Sequence, residues 1–287
     1  MTASTPPSRP AGFAPEFVAS ILDDALTHDC RIYGITGLQG SGKSTLAAQI
    51  ATLAESHGLR VASLSIDDFY LDHDARATLA REVHPLLATR GPPGTHDLAL
   101  ACDTLDGLRA GKAVALPRFD KIADRRLPRD DWPRVEAAQL VILEGWFLET
   151  PPQDDAELPS PINALERDED RDGAWRRYCN AALGRTYPAL WRRIDRLLFL
   201  QPPGFDVVPG WRWQQECALQ ATNPQRTTMT RAQVDRFVRF FERVSRQALR
   251  TLPAIAERTV RLDAQRNPLH FPSPRATRGE KVPRRGR

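Results

Sequence analysis

Residues Gly37 to Ser44 read Gly-Leu-Gln-Gly-Ser-Gly-Lys-Ser, a complete G-x-x-x-x-G-K-[ST] pattern. The pattern follows an apolar run, Arg31-Ile-Tyr-Gly-Ile-Thr36. After it, from Lys43 to His57, Leu46, Ala47, Ile50 and Leu53 recur at helical spacing and Gly58 closes the segment. A strand, a glycine-rich turn and a helix in that order give the motif its physical meaning. Gly37, Gly40 and Gly42 admit backbone angles that aim successive N–H groups into one concavity. The helix beginning near Lys43 adds its positive N-terminal end. Residues Gly37, Leu38, Gln39, Gly40, Ser41, Gly42, Lys43, Ser44 and Thr45 are therefore expected to wrap the phosphates of a nucleoside triphosphate. Lys43 is expected to reach the β- and γ-phosphates, and the Ser44 hydroxyl to ligate Mg²⁺. The base-specificity pattern N-K-x-D of GTPases is absent, and the D-x-x-G match at Asp170 to Gly173 follows no strand. ATP is the expected nucleotide.

The rest of the chain extends this beginning into an α/β fold. Pro15 to Thr27 has helical spacing. Val61 to Ile66 reads as a second strand, which completes a βαβ unit and predicts a parallel sheet. A helix is predicted from Asp97 to Arg109 and a short apolar stretch at Ala113 to Leu116. A fully buried strand is expected at Gln139 to Leu143 and a further strand at Arg196 to Leu200. A strong amphipathic helix is expected from Thr230 to Leu249, with a final edge strand at Arg258 to Leu262. The fold class is thus a P-loop NTPase, with a parallel central sheet flanked by helices and a helical lid over about 205–225. The expected domain is 13–264, between a disordered 1–12 and a disordered tail, 265–287.

Acidic residues fall at two strand ends. Ser65-Ile-Asp-Asp-Phe-Tyr-Leu71 delivers Asp67 and Asp68 to the C-terminal edge of the sheet, where open α/β sheets bind ligands. One of them is expected to orient an acceptor hydroxyl and take its proton. Because adjacent residues on an extended stretch point to opposite sides, only one should do so. The run Leu140-Val-Ile-Leu-Glu-Gly-Trp146 puts Glu144 at the end of another strand, the Walker-B position for an acid acting on Mg²⁺.

Three further segments border the same edge. In Arg90-Gly-Pro-Pro-Gly-Thr-His-Asp-Leu98, Thr95 is a candidate N-cap, with His96 and Asp97 at the helix start. In Leu116-Pro-Arg-Phe-Asp-Lys121, Arg118 and Lys121 suit a small anionic acceptor. Tyr70 could wall it. In Pro209-Gly-Trp-Arg-Trp-Gln-Gln-Glu216, Arg212 is placed to close on the transferring phosphoryl group from a mobile lid.

Charge and cysteines narrow the class. The chain carries 40 basic and 36 acidic residues, a net +4. Residues 265–287 hold seven basic residues and one Glu, +6, which leaves 4 − 6 = −2 for the remainder. A nucleic-acid-binding module is favoured only by that tail and opposed by the acidic remainder. Residues 149–172 hold nine acids, two bases and four prolines, and read as a solvated insertion loop. Cys30, Cys102, Cys179 and Cys217 form no C-x-x-C pair, which suits a reducing cytoplasm better than a disulfide or zinc site. No apolar run reaches membrane-spanning length.

The order of these motifs resembles the D-glycerate 3-kinase family, the plant and fungal type with its bacterial relatives. The resemblance is carried by the P-loop, Ser65 to Leu71, G-x-x-G-x-H-D-L at Gly91 to Leu98, L-P-R-F-D-K at Leu116 to Lys121, Leu143-Glu-Gly-Trp146 and Trp211-Arg-x-x-Gln. It spans roughly Ile32 to Leu249 and also places the chain near uridine kinase, pantothenate kinase and phosphoribulokinase. It implies transfer of phosphate from ATP to D-glycerate. The roles it implies are Lys43 and Ser44 on phosphate and Mg²⁺, Asp67 or Asp68 as base, Glu144 near the metal and Arg212 in the lid. The segment after Lys121 and the acidic stretch at 149–172 depart from the family. Another metabolite kinase of the uridine or pantothenate type, and a non-enzymatic ATP-binding protein, are the alternatives. A scattering of His96, Asp97, Arg118 and Lys121 would favour the last. The oligomeric state is not legible.

Overall fold

Alternation along the central strands divides the interior into two cores. The computed structural model describes residues 12–222 and 228–269. Strands β1 (Ile32–Gly37) and β2 (Val61–Ser65) are followed by four two-residue strands, β3 (Val114–Ala115), β4 (Phe119–Asp120), β5 (Arg125–Arg126) and β6 (Arg134–Val135). Then come β7 (Leu140–Gly145), β8 (Arg196–Gln201) and β9 (Arg258–Arg261). The long strands form one parallel sheet of order β2-β7-β1-β8-β9. β1 and β7 are buried at every position, as strands covered on both faces must be.

Successive side chains serve opposite faces. Tyr33, Ile35, Ile142 and Leu198 join the core under α1 (Pro15–Thr27) and α2 (Lys43–Ser56). Ile32, Val141, Leu143, Leu197 and Phe199 join the second core. Its helices are, in chain order, α3 (His73–Glu82), α4 (Leu98–Arg109), α5 (Ala164–Glu169), α6 (Ala174–Arg185), α7 (Tyr187–Trp191), α8 (Val208–Thr222) and α9 (Arg231–Ile255). No helix among the described residues is long and apolar enough to cross a membrane.

The expected elements are present, with shifted ends. Ile66 leaves the second strand and starts a 3-10 turn, Ile66–Phe69. α4 is capped by Asp97, whose Oδ1 accepts from Leu100 N–H at 3.0 Å, and not by Thr95. Thr95 instead ties its own loop, donating to Pro92 O at 2.7 Å and accepting from Gly91 N–H at 3.0 Å. α9 continues six residues past Leu249, to Ile255.

The acidic stretch 149–172 corrects the reading of a solvated loop. It holds a short turn, Asp155–Glu157, and α5, and its Glu166 and Asp170 are 0% exposed. Glu166 accepts from Arg243 Nε at 2.7 Å and Nη2 at 2.6 Å, and Asp170 from Arg176 Nη1 at 2.9 Å. Composition within a window cannot count bases supplied from elsewhere in the fold. The tail boundary also moves. Arg266 lies against the nucleotide loop, donating from Nε to Gly40 O at 2.5 Å. The expected disorder of 1–11 and 270–287, and the last three lid residues, 223–225, lie outside the described residues.

Candidate active site

The glycine-rich turn leaves β1 at the centre of the sheet, where the chain order reverses and a crevice opens. Gly40 and Gly42 have φ of 78° and 96°, the left-handed region that side chains resist. A Cβ on Gly40 would also come within 2.7 Å of the Trp211 Cβ. Gly40→Ala is therefore expected to weaken ATP binding roughly 5- to 30-fold, since the left-handed backbone alone costs about 1–2 kcal/mol. Titration calorimetry with ATP and with unrelated anions checks this; unchanged ATP affinity would contradict it.

Lys43 is buried and donates to Leu38 O at 3.2 Å. Burial lowers its pKa, against the opposing fields of Glu144 and Asp67. Ser44 Oγ donates to Glu144 Oε1 at 2.8 Å, so the end of β7 meets the first turn of α2. A hydroxyl and a carboxylate so joined are hard oxygen donors of the type Mg²⁺ takes. Ser41 Oγ is buried with no hydrogen-bond partner among the described residues, in line with a loop built for an anion.

The two neighbouring aspartates part company, and the cause is a turn and not an extended strand. Asp68 folds back as the acid of a capping box, accepting from Ser65 N–H at 2.8 Å and from Arg118 Nη1 at 3.2 Å. Burial pushes its carboxyl up to about 6, against the pull of Arg118. Asp67 projects the other way. It accepts from Lys121 Nζ at 2.5 Å and is hydrogen-bonded to the Tyr70 hydroxyl. Burial works to raise its pKa, but the Lys121 ammonium and the Tyr70 hydroxyl outweigh burial and hold it below the ordinary range.

His96 completes this wall. It is paired with Tyr70 in an isolated β-bridge, the two rings 5.0 Å apart. Burial takes its pKa down to about 4, so it is neutral at pH 7. The Tyr187 hydroxyl accepts from Gly94 N–H at 3.0 Å and lies 2.6 Å from His96 Nδ1. With its acceptor side engaged, the hydroxyl is assigned as donating to Nδ1, which puts the imidazole proton on Nε2. That Nε2 is buried without a partner among the described residues. Asp97 stands one step back. Its Oδ2 accepts from Arg126 Nη2 at 3.0 Å, and the same nitrogen donates to Tyr70 O at 3.2 Å.

Tyr70, His96 and Lys121 thus converge on Asp67. Arg118 attends Asp68, donating also to Pro117 O and Ser63 O, and Asp97 serves as a cap. Arg212 sits on α8, paired with Glu216 at 2.9 Å and stacked over Phe237 at 5.8 Å. Its neighbour Trp211 covers Gly40 and carries the Arg266 guanidinium 4.8 Å from its ring centroid. Three residues of this region had no local signal. Tyr187 acts across 91 positions; Arg266 reaches back 226; and Asp124, which receives both Arg76 and Arg90, lies in the loop between β4 and β5.

No family model matches the chain. It is similar to the uncharacterized kinase mug58 of Schizosaccharomyces pombe, with 33% identity over 201 residues, 66% of this chain and 71% of that protein. To the chloroplastic D-glycerate 3-kinase of Arabidopsis thaliana it is 32% identical over 202 residues, 66% of this chain and 41% of that longer protein. The structure of a D-glycerate 3-kinase from Cryptococcus neoformans superposes with a TM-score of 0.71 at 26% identity, covering 90% of this chain and 97% of the other.

Proposed function

Because the chain belongs to the D-glycerate 3-kinase family of P-loop kinases, we propose that it transfers the γ-phosphoryl group of ATP to a hydroxyl of D-glycerate. The family makes it an ATP-dependent phosphotransferase with an alcohol acceptor. The observation that carries the acceptor side is the convergence of Tyr70, His96 and Lys121 on Asp67, within electrostatic reach of Lys43. A nucleotide switch would have no use for such a group.

In this reading Gly37 to Thr45 hold the phosphates, with Lys43 on the β- and γ-oxygens. Ser44 and Glu144 would hold Mg²⁺, which would supply charge neutralisation for those oxygens. The acceptor oxygen approaches the γ-phosphorus, its proton passes to Asp67, and ADP leaves with the bridging oxygen. Lys121 and Tyr70 keep Asp67 ionised and aimed. The Nε2–H of His96 is a neutral donor for an acceptor oxygen, while Arg118 and Asp97 set the wall behind it. Arg212 stabilises the equatorial charge only after exchanging Glu216 for the phosphoryl group, which assigns it to a lid movement. The four cysteines are unpaired thiols, which suits the proposed reducing cytoplasm.

The test is ADP release with saturating magnesium and ATP and, separately, D-glycerate, glycerol, uridine and pantothenate. D-glycerate is expected to turn over, with uridine and pantothenate at background. Turnover of uridine or pantothenate in its place would reject the acceptor.

A further inference from the structure

The proposed acceptor is an acid, and the cations expected to receive it are already engaged. Arg118 is bound to Asp68 and two backbone carbonyls, and Lys121 to Asp67. Arg126, a further cation nearby, gives one nitrogen to both Asp97 and Tyr70 O, and its Nε, without a partner among the described residues, is buried. A carboxylate nearby, Asp124, is shared by two guanidiniums, Arg76 and Arg90.

Of those two, Arg76 is 0% exposed and fully engaged, with Leu71 O, Ala88 O and Asp124 as acceptors. Arg90 is different. Its Nη1 donates to Asp124 Oδ1 at 2.6 Å, while Nε and Nη2 have no hydrogen-bond partner among the described residues. Its side chain is 30% exposed. It is also held in place. One face lies 5.9 Å from the Phe119 ring, whose edge-to-face partner is Tyr70. The next residue, Gly91, is close to the reacting groups, since a Cβ there would lie 3.6 Å from the Tyr70 hydroxyl. That hydroxyl is bonded to Asp67.

We infer that Arg90 receives the carboxylate of the acceptor, through the nitrogens it does not give to Asp124, and so selects a short hydroxy acid over the matching neutral alcohol. The inference rests on the proposed kinase reading and adds the group that recognises the acid. A guanidinium presents a planar fork that fits a carboxylate, which the point charge of a lysine does not. The buried Arg76 holds Asp124, and Asp124 with Phe119 holds Arg90, so the fork is positioned before the acceptor arrives.

The experiment compares wild type, Arg90→Gln, Arg90→Lys and Arg90→Ala in ADP release with D-glycerate and with glycerol, in which a neutral CH₂OH replaces the carboxylate. Arg90→Gln is expected to raise KM for D-glycerate roughly 10- to 100-fold, the range for lost hydrogen bonds to a charged group. KM for ATP and turnover of glycerol should stay near wild type, so preference for the acid collapses. Arg90→Lys should recover part of the loss. Millimolar guanidinium should restore Arg90→Ala, a gain that a merely misfolded variant would not show. An unchanged KM for D-glycerate in Arg90→Gln, or Arg90→Ala without rescue, overturns the role of Arg90 and leaves the kinase reading standing. Wild type that phosphorylates a neutral acceptor and not D-glycerate overturns both.

Discussion

Asp67→Asn is expected to lower kcat for phosphoryl transfer by roughly 10²- to 10⁴-fold, the usual contribution of a positioned general base, and to leave the Kd for ATP within about threefold of wild type. The substitution keeps the size and hydrogen-bonding reach of the side chain, and removes its charge and most of its basicity. The one remaining oxygen can accept from Lys121 Nζ, now 2.5 Å from Asp67, and the Tyr70 hydroxyl can turn to accept from the amide N–H, so the wall should stand. Stopped-flow nucleotide binding and steady-state turnover on the same preparation separate the two effects. Equal loss of ATP binding and turnover would remove Asp67 from the proposed role and return it to the nucleotide site.

The pH dependence separates the two aspartates. Burial favours the protonated form of Asp67, but Lys121 and Tyr70 outweigh it and keep its pKa below the ordinary value of 3.8. A depressed folded-state pKa contributes stability that is present above the unfolded value and lost as pH falls through the folded one. Asp67 is thus ionised throughout the assay range and should give no acid limb there. Asp68 runs the other way. Burial takes it from 3.8 to about 6, so its ionisation costs folded-state stability as pH rises through that interval. An acid limb in kcat/KM near pH 6 is expected from Asp68, as its protonation slackens the grip on Arg118. Asp68→Asn, which lacks that charge at every pH, should lose this limb and turn over at neutral pH at the level wild type shows on the acid side of it. A limb near pH 6 that survives in Asp68→Asn would show that another group titrates there.

The residues that local rules govern were legible in the sequence. Glycine spacing and the strand before it define the phosphate loop, because backbone conformation is a property of neighbours. The run from Leu140 to Leu143 marks a strand buried on both faces, and Glu144 lies at the end of it, where its bond to Ser44 forms. Side-chain traffic between distant segments was not legible. Asp67 and Asp68 are alike in sequence, and a capping bond from Ser65 N–H decides which of them faces the crevice. Arg118 and Lys121 lie beside those aspartates and spend their charges on them, and nothing next to Arg90 in the sequence marks it as a binding group. The charge balance of a window says little about burial when the partners lie elsewhere, and the acidic stretch shows this most plainly.

Arg243→Met, which leaves Glu166 buried without its partner, is expected to destabilise the fold by about 3–5 kcal/mol. Arg243 gives two nitrogens to Glu166 and reaches Ser160 O at 2.8 Å and Gln153 Oε1 at 3.2 Å, so one side chain from α9 gathers most of the 149–172 segment. The methionine fills much of the space, and so the loss reports the stranded carboxylate more than a cavity. Urea unfolding of wild type and variant measures it, and a loss under about 1 kcal/mol would mean that water reaches Glu166. Glu166→Leu added to Arg243→Met should recover most of the loss, since a buried pair replaced whole by apolar groups is often neutral. Glu166 also accepts from Ile162 N–H at 2.9 Å, which the leucine cannot satisfy, so recovery should fall short by about 1–3 kcal/mol. The site feels this pair at one remove. Phe241, two residues before Arg243 on α9, packs edge-to-face on Trp146 and lies where a Cβ on Gly91 would stand, at 2.7 Å. Partial loss of the α9 anchor should therefore raise KM for the acceptor before it alters KM for ATP, because the proposed acceptor wall meets α9 directly, at Gly91 and Phe241, while the phosphate loop meets it only through Trp211 on α8.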